Sequence, residues 1–181
     1  MRKLKKIIIL ITFITSFTIL VPHASASTLH LSPGSTNIPL GGTVYVQVRL
    51  NTQGESVNGV SAYLSYPTDK LDVVSVGAGS SAFGIEAEKS FGGGSIRVSR
   101  GSISGTSGNV NVATIGFRGK TQGTASVSFV GGSAAPRTSN SSDSLNLGGS
   151  SGGTYTVVKG QPGTITSSPQ EKPVITKVQV F

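Results

Sequence analysis

The side chains that could carry out nucleophilic or acid–base chemistry are sparse in this sequence. Its 181 residues include two histidines, seven acidic residues and no cysteine. A Ser-His-Asp or Cys-His arrangement needs a histidine held beside its nucleophile. His30 is the one histidine that follows the basic and apolar N-terminal segment. We therefore interpret His30 as a surface residue without a catalytic role.

Glu86 and Glu88 are two acidic residues that lie close together in the chain. Glycoside hydrolysis needs two carboxylates about 5 to 10 Å apart, and their i, i+2 spacing would place both on one face of a strand. The same alternation predicts that Ile85 and Ala87 point inward and that both glutamates meet solvent. We therefore interpret the pair as solubilising or partner-facing charges.

Metal ligation has little support in the sequence. Calcium takes six to eight oxygen ligands, often from clustered aspartates, whereas Asp69, Asp72 and Asp143 are dispersed. A turn site built on Asp69 and Asp72 with backbone carbonyls stays open as an alternative. The sequence contains no cofactor-binding loop. We predict no catalytic residue, no metal site, no cofactor and no enzymatic activity.

Residues 1–26 are typical of a secretory signal peptide. Four basic residues open the chain, residues 7–21 are apolar, and Ala24-Ser25-Ala26 is a small-residue cleavage motif. The apolar run has about fifteen residues, fewer than the ~20 that a membrane-spanning helix needs. We predict a secreted protein that acts in the extracellular space or at the cell surface and meets the membrane only during export.

Removing that segment changes the charge of the chain. Four of the fifteen basic residues leave with it, so eleven remain against seven acidic residues, a net charge of +4. These eleven are scattered, whereas nucleic-acid-binding domains concentrate basic residues on one face. We predict no nucleic-acid partner. About 155 residues also suffice for one domain without disulfides, which agrees with the lack of cysteine.

Alternation of apolar and polar residues predicts an all-β domain. No window of eleven residues carries a capped helical stripe, and Gly, Ser and Thr separate the candidate strands. About nine short strands at this spacing indicate a single antiparallel β-sandwich of jelly-roll topology. The predicted strands span residues 28–32, 43–50, 60–66, 71–76, 84–89, 95–100, 110–118, 125–130 and 155–158.

Two later segments depart from simple alternation. Val110 and Val112 share one phase, whereas Ala113 and Ile115 share the other, so a β-bulge near Val112 is predicted. Residues 133–153 are polar and repetitive, which predicts a long, mobile loop with one short strand.

Residues 58–76 hold two strand patterns that meet at a turn. Pro67 ends the first pattern, because proline lacks the N–H that a ladder needs, and an apolar strand resumes at Leu71. The first strand should bury every second residue, namely Val60, Ala62, Leu64 and Tyr66. The domain is organised around this corner.

The same stretch resembles the signature of cohesin domains, in which a strand ending in Tyr, a Pro-bearing turn and a Leu-acid-Val strand follow one another. Tyr66, Leu71, Asp72 and Val73 fall at the family spacing. The segments LGGTVYVQVRL, GGSIRVSRGS and VATIGFRGK resemble further strands in the family order. The resemblance covers roughly residues 28–158. It implies a cohesin-like sandwich that binds a dockerin, a small helical protein, for extracellular assembly linked to polysaccharide degradation.

In cohesins the strands that correspond to residues 60–66 and 84–89 lie adjacent, which implies a shared partner-binding face here. That face would carry Gly59, Ser61, Tyr63, Glu86 and Glu88. Cohesins often hold Asn and Asp at the positions of Gly59 and Ser61, so the chain departs from the family there.

Two alternatives stay open. A carbohydrate-binding module of the same sandwich fold would stack a polysaccharide on Tyr45 and Tyr63, which both occupy the polar phase of their strands. A structural spacer in a surface or adhesive protein would leave binding to other modules. The number of exposed aromatic rings on one face discriminates between a glycan-binding and a protein-binding surface.

The domain organisation predicted from these patterns has four parts. Residues 1–26 form the signal peptide and residues 27–159 the cohesin-like sandwich. Residues 160–173 are rich in Gly, Pro, Ser and Thr, as linkers are. Residues 174–181 alternate as a strand and are interpreted as the start of a second β module, or as an addition to the edge of the first sheet.

We expect the exported protein to begin at or near Ser27, because signal peptidase cleaves after small-residue motifs such as Ala24-Ser25-Ala26. Edman sequencing or intact-mass analysis of the exported material measures the start directly. An exported form that retains residues 7–21 would show that the segment is a membrane anchor instead.

Overall fold

The computed structural model describes residues 26–160. The predicted signal peptide up to residue 25, the linker after residue 160 and the tail at 174–181 lie outside these residues. The described chain is all-β, as predicted. It contains one short 3-10 turn at Leu147–Gly149. Its ten strands are β1 (Thr28–Ser32), β2 (Ser35–Pro39), β3 (Thr43–Asn51), β4 (Val57–Ser65), β5 (Leu71–Gly77), β6 (Ile85–Gly92), β7 (Ser95–Thr106), β8 (Asn109–Gly119), β9 (Gly123–Phe129) and β10 (Gly153–Val158).

The strands form two sheets that pack face to face as a sandwich. The four-stranded sheet has the order β1-β3-β8-β5, and the six-stranded sheet has the order β2-β10-β9-β4-β7-β6. Pairing is antiparallel except between β10 and β2, which run parallel. Strand β2 is the tenth strand that the sequence did not predict. Ile38 is its one buried residue and Pro39 ends it, so it shows no readable alternation.

The core lies between the inner faces of the two sheets and is mostly aliphatic. Strand β4 buries Val60, Ala62 and Leu64, as its alternation predicted. The Phe117 ring stacks on Tyr155 with 5.6 Å between centroids and meets Tyr66 edge-on at 6.2 Å. The alternation of β4 therefore fixes which of its residues reach the outer surface.

The bulge predicted near Val112 is confirmed. Val48 pairs with Ala113, and the next residue, Arg49, pairs with Asn111. Val112 is left without a partner across the ladder, and both Val112 and Ala113 are buried. The extra residue lets the strand change phase while it keeps its apolar side chains in the core.

The polar segment after β9 is more closely tied to the sandwich than its composition predicted. Ala134 and Ser61 exchange backbone hydrogen bonds of 2.8 and 2.9 Å, so the segment runs beside β4. The Asp143 carboxylate accepts from the backbone N–H groups of Ala135 and Leu145 at 2.8 and 2.9 Å. The first two bonds tie the segment to β4 and the Asp143 bonds fix its internal shape, so opening it would break these bonds.

Two features are absent from residues 26–160. No helix there is long and apolar enough to cross a membrane. No group of three or more His, Asp or Glu side chains is placed to hold a metal ion.

Replacing Leu64 by Asp should prevent folding, because Leu64 is fully buried and an unpaired buried carboxylate costs several kcal/mol against a total stability of ~5 to 15 kcal/mol. Ser65→Asp is the matched control, since the neighbouring Ser65 is exposed. Thermal melts followed by circular dichroism measure both. Equal melting temperatures would mean that the register of β4 is shifted by one residue.

Candidate functional site

The outer face of the six-stranded sheet carries most of the residues that the sequence predicted for a partner. Strand β4 lies inside this sheet, with β9 on one side and β7 on the other. Ser61 and Tyr63 point outward because Val60, Ala62 and Leu64 point inward. Strand β6 belongs to the same sheet, but β7 separates it from β4, so the predicted direct adjacency of these two strands is wrong. The face is therefore one strand wider than expected.

Tyr63 is held from several directions. Its hydroxyl donates to Glu88 Oε2 at 2.7 Å, and the guanidinium carbon of Arg97 lies 4.8 Å from the ring centroid. Its backbone N–H donates to Ser133 Oγ at 3.0 Å. An arginine over an aromatic ring is attracted by the electrons of the ring face. The ring is therefore fixed in place before any partner arrives.

Gly132 closes the space beside the same ring. A Cβ at Gly132 would lie 2.7 Å from Tyr63 Cδ2, and the φ of Gly132 is +92°. Any other residue at position 132 would be strained, both by this contact and by the left-handed backbone conformation. The Tyr63 ring thus lies between the Gly132 backbone and the Arg97 guanidinium.

Glu88 connects β6 to the centre of the face. Besides the Tyr63 hydroxyl it accepts from Ser99 Oγ at 3.3 Å, and Ser99 Oγ lies 3.0 Å from Ser61 Oγ. Tyr63, Glu88, Arg97, Ser61 and Ser99 therefore form one hydrogen-bonded and cation–π group, which we call the Tyr63 cluster. It spans three strands of the sheet.

Glu86 does not share the face of Glu88, which corrects the sequence prediction. Glu86 pairs with Arg100, whereas Glu88 pairs with Ser99, so Ala87 is a bulge between them. A single inserted residue reverses the alternation, and Glu86 therefore lies on the inner side of the sheet. Ile85 and Ala87 are exposed and not inward.

Glu86 has a structural partner on that inner side. Its carboxylate accepts from Arg100 at 2.6 Å and pairs with Lys89 at 2.9 Å. Arg100 is only 5% exposed, and within residues 26–160 its buried Nε has no hydrogen-bond partner. Hydrogen bonding with Lys89 is the main cause that lowers the pKa of Glu86, and the charges of Lys89 and Arg100 lower it further. Glu86 therefore neutralises a buried cation.

Gly59 forms a flat region at one end of the outer face. It pairs with Gly101 of β7, so two glycines stand opposite each other. Ile85 pairs with Gly101 in turn and is 50% exposed. Pro136 covers Gly59 on this face, since a Cβ there would lie 3.1 Å from Pro136 Cγ. The open part of this region therefore lies at Gly101, beside the exposed Ile85.

Tyr45 and Tyr63, the predicted glycan-stacking pair, do not meet. Tyr45 lies on β3 of the four-stranded sheet and is 65% exposed, whereas Tyr63 lies on β4 of the six-stranded sheet. Outward residues of the two sheets point to opposite sides of the sandwich, so the rings cannot form one platform.

His30 also lies on the four-stranded sheet, paired in register with Arg49. Its partial burial, and then the charge of Arg49, lower its pKa.

Sequence reasoning missed Arg97, Ser99, Gly132 and Ser133 as members of the site. Arg97 and Ser99 could have been found, since they occupy the polar phase of the predicted strand 95–100. Gly132 and Ser133 lie in a turn after β9, and no local pattern shows that this turn returns to Tyr63.

Comparison with solved protein structures identifies the fold. No family model matches the sequence, and no curated protein matches it. The seventh ScaB type I cohesin of Pseudobacteroides cellulosolvens is similar with a TM-score of 0.62 and 17% identity, over 76% of this chain and 95% of that one. A non-cellulosomal cohesin of the hyperthermophilic archaeon Archaeoglobus fulgidus gives 0.60 and 22%, over 74% and 92%.

A third similar structure was solved as a complex. It is the third ScaB cohesin of R. flavefaciens with a group 1 dockerin, with a TM-score of 0.59 and 15% identity, over 76% of this chain and 99% of that one. The chain therefore has the cohesin fold, as the resemblance of its sequence implied. Similarity at identities this low establishes the fold, and the function has to be inferred from the site.

Glu86→Gln should lower the melting temperature at pH 7 more than Glu88→Gln, because only Glu86 neutralises a buried arginine. The pKa of Glu86 is below its ordinary value of 4.5, so its contribution is complete above pH 4.5 and is lost as the pH falls through the folded-state pKa. The gap between wild type and Glu86→Gln should therefore close in acid.

Differential scanning calorimetry between pH 7 and pH 3 measures that gap. Glu88→Gln is the matched control, since a glutamine oxygen can still accept from the Tyr63 hydroxyl. A gap that stays constant throughout would contradict the assignment of Glu86 to Arg100.

Proposed function

We propose that the protein is a secreted, non-catalytic module that docks a protein partner of the dockerin type through the outer face of its six-stranded sheet. The observation that carries this proposal is the Tyr63 cluster. It sets a tyrosine and an arginine, side chains that dominate protein interfaces, at the centre of an open sheet face in a cohesin fold.

The contacts of Tyr63 favour a protein over a glycan on this face. Sugar binding needs an aromatic ring face that a pyranose can cover, but Arg97 lies over one side of the ring and Gly132 closes against it. The hydroxyl is also engaged by Glu88. A ring fixed in this way loses little conformational entropy on binding. Such preorganisation suits an anchor residue in a protein interface.

The face also indicates the chemistry of its partner. No ion pair joins Arg97 to a carboxylate within residues 26–160, so its guanidinium can pair with an acidic side chain of a partner. The surface at Gly101, bordered by Ile85, fits an apolar side chain. We expect a helical partner that presents an acidic residue next to an apolar one. Gly59 and Ser61, which replace the Asn and Asp common in cohesins, would contribute shape rather than charge.

The proposal also includes the domain organisation of the chain and the place where it acts. Residues 1–26 direct export, residues 27–159 form the docking module, residues 160–173 link it, and residues 174–181 begin a further β module. The function would be extracellular or cell-surface assembly, linked to polysaccharide degradation. A spacer without a binding function is the competing proposal, and it predicts no partner for this face.

Tyr63→Ala should weaken binding to a cognate dockerin about 30-fold or more, since an interface anchor contributes ~2 kcal/mol or more. Isothermal titration calorimetry of the purified protein against a panel of dockerins measures this. Tyr45→Ala is the matched control, because Tyr45 lies on the other side of the sandwich.

Circular dichroism first verifies that Tyr63→Ala is folded, and Arg97→Gln provides a second variant that leaves the ring in place. Loss with both variants and not with Tyr45→Ala supports the proposal. Binding that survives both, or the absence of binding to every dockerin tested, would overturn it.

A further inference from the structure

The outer face of the four-stranded sheet carries a row of three side chains along β3. Tyr45, Gln47 and Arg49 alternate with the buried residues Val46 and Val48, so all three point outward. Successive members lie about 7 Å apart along the strand, and the row is about 14 Å long. We call it the β3 row.

Tyr45 provides an exposed aromatic ring at one end of the row. Tyr45 pairs with Gly116 of β8, and its Cε1 would lie 3.2 Å from a Cβ at that position. The absence of a side chain at Gly116 thus leaves room for the ring beside the strand. Val74, a bulged residue of β5, borders the same glycine and is 39% exposed. Unlike Tyr63, Tyr45 makes no cation–π contact and no hydroxyl hydrogen bond within residues 26–160.

Arg49 provides an oriented positive charge at the other end. Its guanidinium donates to Asn109 Oδ1 at 3.1 Å, to the Asn109 carbonyl at 2.9 Å and to Gln47 Oε1 at 3.0 Å. All three acceptors are neutral, so they fix the direction of the group without cancelling its charge. No ion pair joins Arg49 to a carboxylate within residues 26–160. The remaining two of its five N–H donors are left for a ligand.

The surrounding charges make this face favourable for an anion. Asp72 is shared between Arg118 and Lys120, each at 3.3 Å, so these three groups together keep one positive charge. Arg49 adds another.

We propose that the β3 row binds an acidic polysaccharide that contains uronic acids. One sugar ring would stack on Tyr45, and a uronate carboxylate would pair with the Arg49 guanidinium. Gln47 lies between them, where it can hydrogen-bond to a sugar hydroxyl. The length of the row fits a short run of pyranose rings laid along β3. This site is separate from the Tyr63 cluster and does not depend on the proposed docking function.

Affinity gel electrophoresis of the purified protein with polygalacturonate in the gel tests this inference. We expect retardation by polygalacturonate, with affinity reduced about tenfold in Tyr45→Ala and in Arg49→Gln. Tyr63→Ala, on the opposite face, should bind as wild type does. Fully methyl-esterified polygalacturonate is the matched polymer without charge and should bind about tenfold more weakly.

Dextran sulfate separates specific binding from general attraction of a basic protein to a polyanion. Equal retardation by dextran sulfate that Tyr45→Ala does not change would overturn the proposal, because charge alone would explain it. No retardation by polygalacturonate would also overturn it. Sedimentation equilibrium completes the test, since a dimer lost in Tyr45→Ala would assign the row to a second copy of this chain instead.

Discussion

Strand register is the constraint on which both surfaces of this domain depend. Side chains alternate between the core and solvent, so one inserted residue moves every later side chain of a strand to the other face. The bulge at Ala87 separates Glu86 from Glu88, and the bulge at Val112 lets β8 stay buried on both sides of it. Strand β4 has no interruption between Gly59 and Ser65, and this regular stretch presents Tyr63.

The burial of a strand explains which of the two bulges the sequence could predict. The bulge at Val112 was predictable because β8 is buried, and its apolar residues change phase where the insertion occurs. The bulge at Ala87 was not, because β6 is an edge strand with almost every side chain exposed. An insertion there leaves no mark in the apolar pattern. Alternation without the bulge at Ala87 therefore predicted Glu86 and Glu88 on one face.

Tyr45 and Tyr63 show why the fold was easier to predict than the site. Both tyrosines occupy the polar phase of a strand with similar neighbours in sequence. Their difference arises from residues distant in the chain, since Glu88, Arg97 and Gly132 enclose Tyr63, whereas Gly116 leaves Tyr45 open. Strand patterns follow from local burial, but these contacts depend on how β6, β7 and the turn after β9 return to β4.

The edge strand β6 has no buried apolar side chain to set its register. Two polar contacts set the register instead. The pair of Glu86 with buried Arg100 holds one side of the bulge, and the bond from the Tyr63 hydroxyl to Glu88 holds the other. Burying Arg100 costs desolvation free energy, so a gain in stability alone does not explain why the ion pair is buried. A shift of β6 by one residue would move Glu86 away from Arg100 and leave that charge unpaired. The buried arginine therefore specifies the register that brings Glu88 to Tyr63, and the inner ion pair and the outer surface are two consequences of one alignment.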